Sequence, residues 1–415
     1  MVKLNPRARK ALKWGAIATA AAPVIATGAV VAIDEARKRR TPPTGEFPHL
    51  PPQPANVGEN ETLIFTYGRD LYEAMLADIE KAKEYVYFEM FILKADAWGY
   101  RFREAFQRAA RRGVRVHVLL DTWGNLNQDP CFRHPPAQKN LHWMNFPLVR
   151  TGIFTGRSRD KGRDHRKIMV VDGRVGYVGG YNIGTIYGTK WRDTHMRIAG
   201  PGVWELEAAF TEMWNSYRQR KHPRLEIEPG HRWNPALRAV HNSPAQNVYP
   251  IAALYIDALA RAKDRAWMTM GYFIPDDPML DALTGAAQRG VDVRILIPQY
   301  SNHIYTDWVG RPHYERLLES GVRMFLYREA MIHAKTMTVD GHWSTIGTAN
   351  IDRLSLRGNF EINMSIFSDD LARVMEKLFL VDLTNTFELT LEEWNKRGTL
   401  ARVTESILRP LAPLL

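Results

Sequence analysis

Two segments of this 415-residue chain carry the same polar side chains in the same order. The first reads His165-Arg166-Lys167, then Asp172-Gly173, then Gly179-Gly180-Tyr181-Asn182. The second reads His333-Ala334-Lys335, then Asp340-Gly341, then Gly347-Thr348-Ala349-Asn350. Every matched pair is separated by 168 positions, and the same offset joins Asp193 to Glu361, so a carboxylate follows each histidine by 28 residues. The residues between His and Asp are β-formers, which predicts a strand turning at Asp-Gly. Alternate side chains of a strand share a face, so His165 with Lys167, and His333 with Lys335, point the same way. A neutral imidazole beside an obligate cation suits an anionic group such as phosphate. Asn182 and Asn350 stand one short strand later and could donate amide N–H groups to the same oxygens. A protonated lysine is a poor metal ligand and no His-Glu-x-x-His occurs, so neither a metal nor another cofactor is expected. Asp172 and Asp340 read first as turn residues, but they belong to the repeated set and stand with the catalytic candidates. Packing would repeat apolar positions, not histidines, lysines and amides, so the repeat is assigned to chemistry.

The elements that must position these residues also occur twice. Leu71, Met75, Ile79 and Ala82 recur at helical spacing, followed by a strand-like run from Tyr85 to Ile92. A second helix stops at Arg111-Arg112-Gly113 before a strand from Val114 to Leu120. In the second copy a helix ends near Ala262-Lys263-Asp264, then come strands from Trp267 to Ile274 and from Val291 to Ile297. Helices alternating with strands predict two α/β lobes, each a sheet covered on both faces. The seam is expected near residues 218–238, which are polar and contain Pro223, Pro229 and Pro235. The expected division is lobe 1 over 61–222 and lobe 2 over 223–415.

The net charge of +11 is unevenly spread. Residues 1–40 hold nine basic against two acidic side chains, a net +7, which leaves +4 for the other 375. The basic leader 1–13 precedes residues 14–33, which carry no charge over a length that can span a bilayer. This run is read as a single-pass anchor, ahead of a cleaved signal peptide or a buried helix. Five basic residues precede it and four follow, so the side on which the catalytic part lies stays open. Residues 34–60 are basic, then rich in proline, and are expected to form a spacer off the membrane. Cys131 is the sole cysteine, so an internal disulfide is impossible. Arg150, Arg157, Arg159, Lys161 and Arg163 make the approach to the first motif basic, as a solvated loop or a collector of anionic headgroups.

These motifs resemble the signature of the phospholipase D superfamily: His-x-Lys, four residues, Asp, six residues, Gly-[Gly/Ser/Thr]-x-Asn, present twice. Within it the chain is most similar to bacterial cardiolipin synthases, from about Glu61 onward, including Trp191-Arg192-Asp193-Thr194-His195, Asn350-Ile351-Asp352 and Asn359-Phe360-Glu361. Departures are Arg353 one place early, Gly358 for a larger apolar residue and Thr348 for a serine. The resemblance implies two pseudo-symmetric α/β/α lobes with mixed sheets and one active site at their interface. It implies a covalent phosphohistidine on His165, with His333 as acid and base. Lys167, Lys335, Asn182 and Asn350 would hold the phosphoryl oxygens, and Asp193 and Glu361 would each orient an imidazole through Nδ1–H.

The function expected is phosphatidyl transfer between phospholipids, or to glycerol, at the cell membrane. A phospholipase D-type hydrolase is the alternative. A nuclease is disfavoured because the region beyond the leader is nearly neutral, so no nucleic-acid partner is expected. Oligomeric state is left open.

Overall fold

The computed structural model describes residues 44–148, 162–226, 235–398, 402 and 404–405. The runs that build its sheets are apolar on both faces, as in Tyr85–Met90, where five of six residues are buried. The first eight-stranded mixed sheet runs, in order, Gln53–Val57, Asn60–Phe65, His195–Ala199, Val175–Gly179, Ile168–Val171, Tyr85–Met90, Arg115–Asp121 and Leu141–Phe146. The second runs Leu237–Asn242, Glu361–Phe367, Trp343–Gly347, Lys335–Val339, Arg265–Met270, Asp292–Pro298, Arg323–Tyr327 and Thr386–Leu389. Seven strands correspond in the same order, and each sheet adds one strand of its own at an opposite edge. The last three corresponding strands are parallel and the others antiparallel.

Local chemistry repeats with the sheets. Asp96 caps the helix Ala97–Arg111 by accepting from the Trp98 and Gly99 amides, and Asp276 caps Asp277–Gln288 by accepting from Met279. Both helices end at a glycine of positive φ, Gly113 at +98° and Gly290 at +93°, where an added Cβ would meet open space. Backbone conformation alone therefore asks for glycine there. The helices Gly68–Lys81 and Ala97–Arg111 bury Tyr72, Phe102 and Phe106 against the outer face of sheet one. Pro250–Arg261 and Asp277–Gln288 do the same for sheet two through Tyr255, Leu259 and Leu283. Between the sheets lies a shared core. There Phe210 and Trp214 of the helix Val203–Tyr217 meet Ile346, Phe360 and Ile362, with Leu371 and Leu378 of the helix Asp369–Leu383. Burying both inner faces in one core fixes the lobes against each other.

One expectation needs correction. The 34–60 segment is not a spacer along its whole length: Gln53–Val57 is the outermost strand of sheet one, paired with Asn60–Phe65. Pro54 is tolerated because an edge strand need not donate on its outer side. Upstream, the Gly45 amide donates to Glu329 O at 2.7 Å and Lys190 donates to Thr44 O at 2.9 Å, so the chain from Thr44 lies on the globular body. The expected anchor at 14–33 falls outside the described residues. Among those described, no helix is long and apolar enough to cross a membrane.

Candidate active site

The first motif's strand starts at Ile168, three residues after His165; the second starts at Lys335, two residues after His333. Both strands run antiparallel to their parallel neighbours, so both histidines lie where the parallel strands end. Lys167 and Lys335 are fully buried, and each ammonium curls back to the carbonyl of its own histidine, at 2.6 Å for Lys167. The i, i+2 spacing thus keeps each cation beside its imidazole, although of these four residues only Lys335 lies within a strand.

The lobes meet by exchanging this segment. The His165 amide donates to Phe360 O at 3.0 Å, while the Phe360 amide donates to Arg163 O at 2.9 Å. By the same pseudo-twofold relation the His333 amide donates to Arg192 O at 2.7 Å, beside the parallel pair Met331–Ile332 and Trp191–Arg192. Each histidine therefore lies next to the carboxylate of the other lobe. His165 Nδ1 is 2.9 and 3.0 Å from the two Glu361 oxygens, and His333 Nδ1 is 2.7 Å from Asp193 Oδ2. With a buried carboxylate on Nδ1, that nitrogen carries the proton and Nε2 is left with its lone pair. A buried ion pair, Arg192 with Asp382 at 2.6 and 2.8 Å, ties the same strand of lobe 1 to lobe 2.

Asn182 and Asn350 occupy equivalent places. Each side-chain oxygen accepts a backbone amide, from Ile92 at 3.1 Å and from Tyr272 at 3.2 Å, which leaves the –NH₂ end as the free donor. Asp172 and Asp340 do not join them, and their place among the catalytic candidates is corrected. The Asp172 carboxylate accepts the amides of Lys83, Glu84 and Tyr85 at 2.8–2.9 Å, and Asp340 those of Lys263, Asp264 and Arg265 at 2.9 Å. Both sit at left-handed φ, 51° and 52°, in the turn at the far end of the strand. They tie that turn to the start of the neighbouring strand, which explains their repetition without chemistry.

Burial sets the electrostatics. Desolvation lowers the His165 imidazole, with Glu361 pulling it back and Lys167 pushing it further down. It lowers His333 well below the usual range, helped by Lys335, Lys167 and His165 itself. Both rings are thus neutral near pH 7, as a nucleophile or base requires. The lysines fall too, Lys167 to about 8 and Lys335 to about 7, because burial outweighs Glu361 and Asp193. Burial lifts Asp193 to about 6 against the pull of Lys335. Two crowded cations whose charge is weakened by burial gain most from an arriving anion.

Several neighbours gave no signal in the motif. Phe91 meets the His165 ring edge-on at 4.7 Å, and Trp191 and Tyr272 flank His333 at 5.0 and 5.6 Å. Thr348 donates its hydroxyl to Glu361 at 2.6 Å, whereas a Cβ on its counterpart Gly180 would stand 2.1 Å from Asp193 Oδ1. The Gly/Thr mismatch between copies was the visible trace of these unequal surroundings. Among the described residues no cluster of His, Cys, Asp and Glu could hold a metal ion.

Comparison with known proteins places this geometry. The family model described as "Cardiolipin synthase, PLD-like domain" matches residues 75–214 and 255–383. A cardiolipin synthase of Listeria monocytogenes is 33% identical over 371 residues, covering 86% of this chain and 76% of the relative. The major cardiolipin synthase of Bacillus subtilis is 34% identical over 370 residues with the same two coverages. Among solved structures, a phosphatidylserine synthase from Haemophilus influenzae superposes with a TM-score of 0.65 at 15% identity, covering 91% of this chain and 97% of that one. At that identity the likeness concerns the fold.

Proposed function

The chain belongs to the cardiolipin synthase family of phospholipase D-like proteins, and from that premise we propose that it transfers a phosphatidyl group from one phospholipid to the hydroxyl of another. The observation that carries the reading is the crossed pairing of two neutral imidazoles with the opposite lobe's carboxylates, over two buried lysines. His333 takes up a proton on Nε2 when the phosphate anion binds, and as His165 Nε2 attacks phosphorus it gives that proton to the leaving alcohol, producing a phosphatidyl-histidine and a free alcohol. His333, now the base, removes a proton from the incoming hydroxyl, which displaces His165 and forms the new phosphodiester. Lys167, Lys335 and the amides of Asn182 and Asn350 bind the non-bridging oxygens, whose charge grows in each transition state. The order of roles follows the greater openness of His165, whose side chain is 12% exposed against 4% for His333. The apolar 14–33 segment keeps the enzyme at the membrane that supplies both substrates.

The test is to incubate the solubilised full chain with labelled phosphatidylglycerol. Diphosphatidylglycerol and free glycerol are the expected products. Phosphatidic acid alone would assign a hydrolase, and degradation of single-stranded DNA by wild type but not His165→Ala would overturn the lipid reading.

A further inference from the structure

Among the described residues, eight large apolar side chains are conspicuously exposed, and five of them belong to the end of the molecule where the parallel strands finish. Four form two pseudo-symmetric pairs. Trp123 and Tyr300 each stand two residues beyond equivalent strands, Arg115–Asp121 and Asp292–Pro298. Ile186 and Leu354 each follow a motif asparagine by four residues, on the short helices Thr185–Lys190 and Arg353–Arg357. Leu126 is the fifth. Their exposures, 54% for Trp123, 51% for Ile186 and 48% for Leu354, are those of surface polar residues.

The loops bearing them are fastened to the catalytic segment. Asn182 holds the Ile92 amide, Asn125 holds the Leu93 amide and Asp96 holds the Thr185 amide at 2.6 Å. In the other lobe Tyr272, beside His333, donates to Asn302 at 2.6 Å, and Ile274 donates to Ile351 O at 2.7 Å. The apolar residues therefore rim the mouth of the site from both lobes.

We propose that this rim is a membrane-docking surface, which seats in the interface of an anionic phospholipid bilayer so that the site opens directly onto the lipid headgroups. Charge and chain path both select this occupant. The Arg163 guanidinium lies 4.6 Å above the Trp123 ring, an aromatic–cation pair suited to the headgroup layer. Arg353 is exposed beside Leu354. Thr44, where the described chain begins, lies at this same face: its carbonyl accepts from Lys190, the last residue of the helix that carries Ile186. Eleven residues from Ile33 to Thr44 reach at most roughly 40 Å, so a bilayer holding 14–33 is within reach of the rim. A phosphodiester need then rise only from the headgroup plane, while its acyl chains stay in hydrocarbon. The inference rests on the phosphatidyl-transfer reading for the identity of the substrate.

The test uses the full chain with Cys131→Ser, labelled with an environment-sensitive fluorophore at Ile186→Cys, Leu354→Cys or, at the opposite end, Arg174→Cys. The protein is reconstituted in phosphatidylglycerol–phosphatidylethanolamine vesicles with brominated acyl chains. Labels at 186 and 354 should be blue-shifted and quenched severalfold, and the label at 174 should not. Equal quenching at all three positions, or a shift that follows protein concentration without bromolipid, would overturn the proposal; the latter would mean a second copy covers the rim. In parallel, Ile186→Asp with Leu354→Asp should lower turnover of vesicle phosphatidylglycerol at least about tenfold relative to monomeric dihexanoyl-phosphatidylglycerol, the size of one lost aliphatic insertion. Equal losses on both substrates would also overturn it. Quenching needs no turnover. A quenched rim on a protein that transfers nothing would sink the functional reading alone, and an active enzyme with an unquenched rim would sink the docking alone.

Discussion

Replacing Glu361 by glutamine should disable His165, although the two belong to different lobes. The Glu361 side chain is wholly buried, with both oxygens within 3.0 Å of His165 Nδ1 and the Thr348 hydroxyl donating to one of them. Glutamine keeps the shape, removes the charge and replaces one acceptor by a donor. Losing a charge-assisted bond costs about 1.5–3 kcal/mol, or roughly 10- to 150-fold. If Thr348 keeps the amide oxygen, the –NH₂ faces Nδ1, the ring proton moves to Nε2 and the nucleophilic lone pair is lost. The expected fall is therefore about 10²- to 10⁴-fold, the upper end matching a wrong-tautomer histidine in other enzymes. Asp193→Asn should do equivalent damage to His333, and the two can be separated by leaving group. A donor esterified to p-nitrophenol, whose weakly basic phenolate leaves without a proton, makes the first step independent of the acid. In rapid quench, Glu361→Gln should form phosphoenzyme slowly from both donors, while Asp193→Asn should regain a near-normal burst from the activated one. The opposite pattern would make His333 the nucleophile. If both variants stayed within about threefold of wild type, the crossed carboxylates would orient nothing.

Three further outcomes follow from the same geometry. Asp193 near 6 must be ionised to hold His333, and Lys335 near 7 and Lys167 near 8 must be protonated to draw the anion. The kcat/KM profile should thus fall below about pH 6 and again above about pH 7–8, and a flat profile from 5.5 to 9 would refute this balance. Gly180→Ala places a methyl 2.1 Å from Asp193 and should cost about 10²-fold or more in kcat, whereas Thr348→Ala, which loses one bond to Glu361, should cost roughly tenfold; equal effects would contradict the asymmetry. Asp172→Ala and Asp340→Ala should each lower stability by about 1–3 kcal/mol in denaturant titrations and leave phosphoenzyme formation by the folded fraction within a fewfold of wild type. A collapse of the burst in folded Asp340→Ala would restore that residue to the chemistry.

The repeated motif alone singled out His165, Lys167, His333 and Lys335 as one set, because packing has no use for polar residues copied at one offset. Alternating helical and strand periods likewise determined two α/β lobes, and the helix of lobe 1 stops at Gly113, where the sequence placed it. Other matters needed the third dimension. The spacing of 28 residues ties Asp193 to His165 along the chain, yet the fold gives Asp193 to His333 and Glu361 to His165, because the lobes swap backbone hydrogen bonds at Phe360 and Arg192. Linear spacing carries no record of which lobe a side chain faces across an interface. Asp172 and Asp340 show the converse: a residue can be repeated because a turn recurs, and only the three amides on each carboxylate separate that cause from catalysis. Prolines suggested a spacer up to residue 60, but pairing with Asn60–Phe65 made Gln53–Val57 a strand, since edge pairing depends on a partner that no local propensity contains.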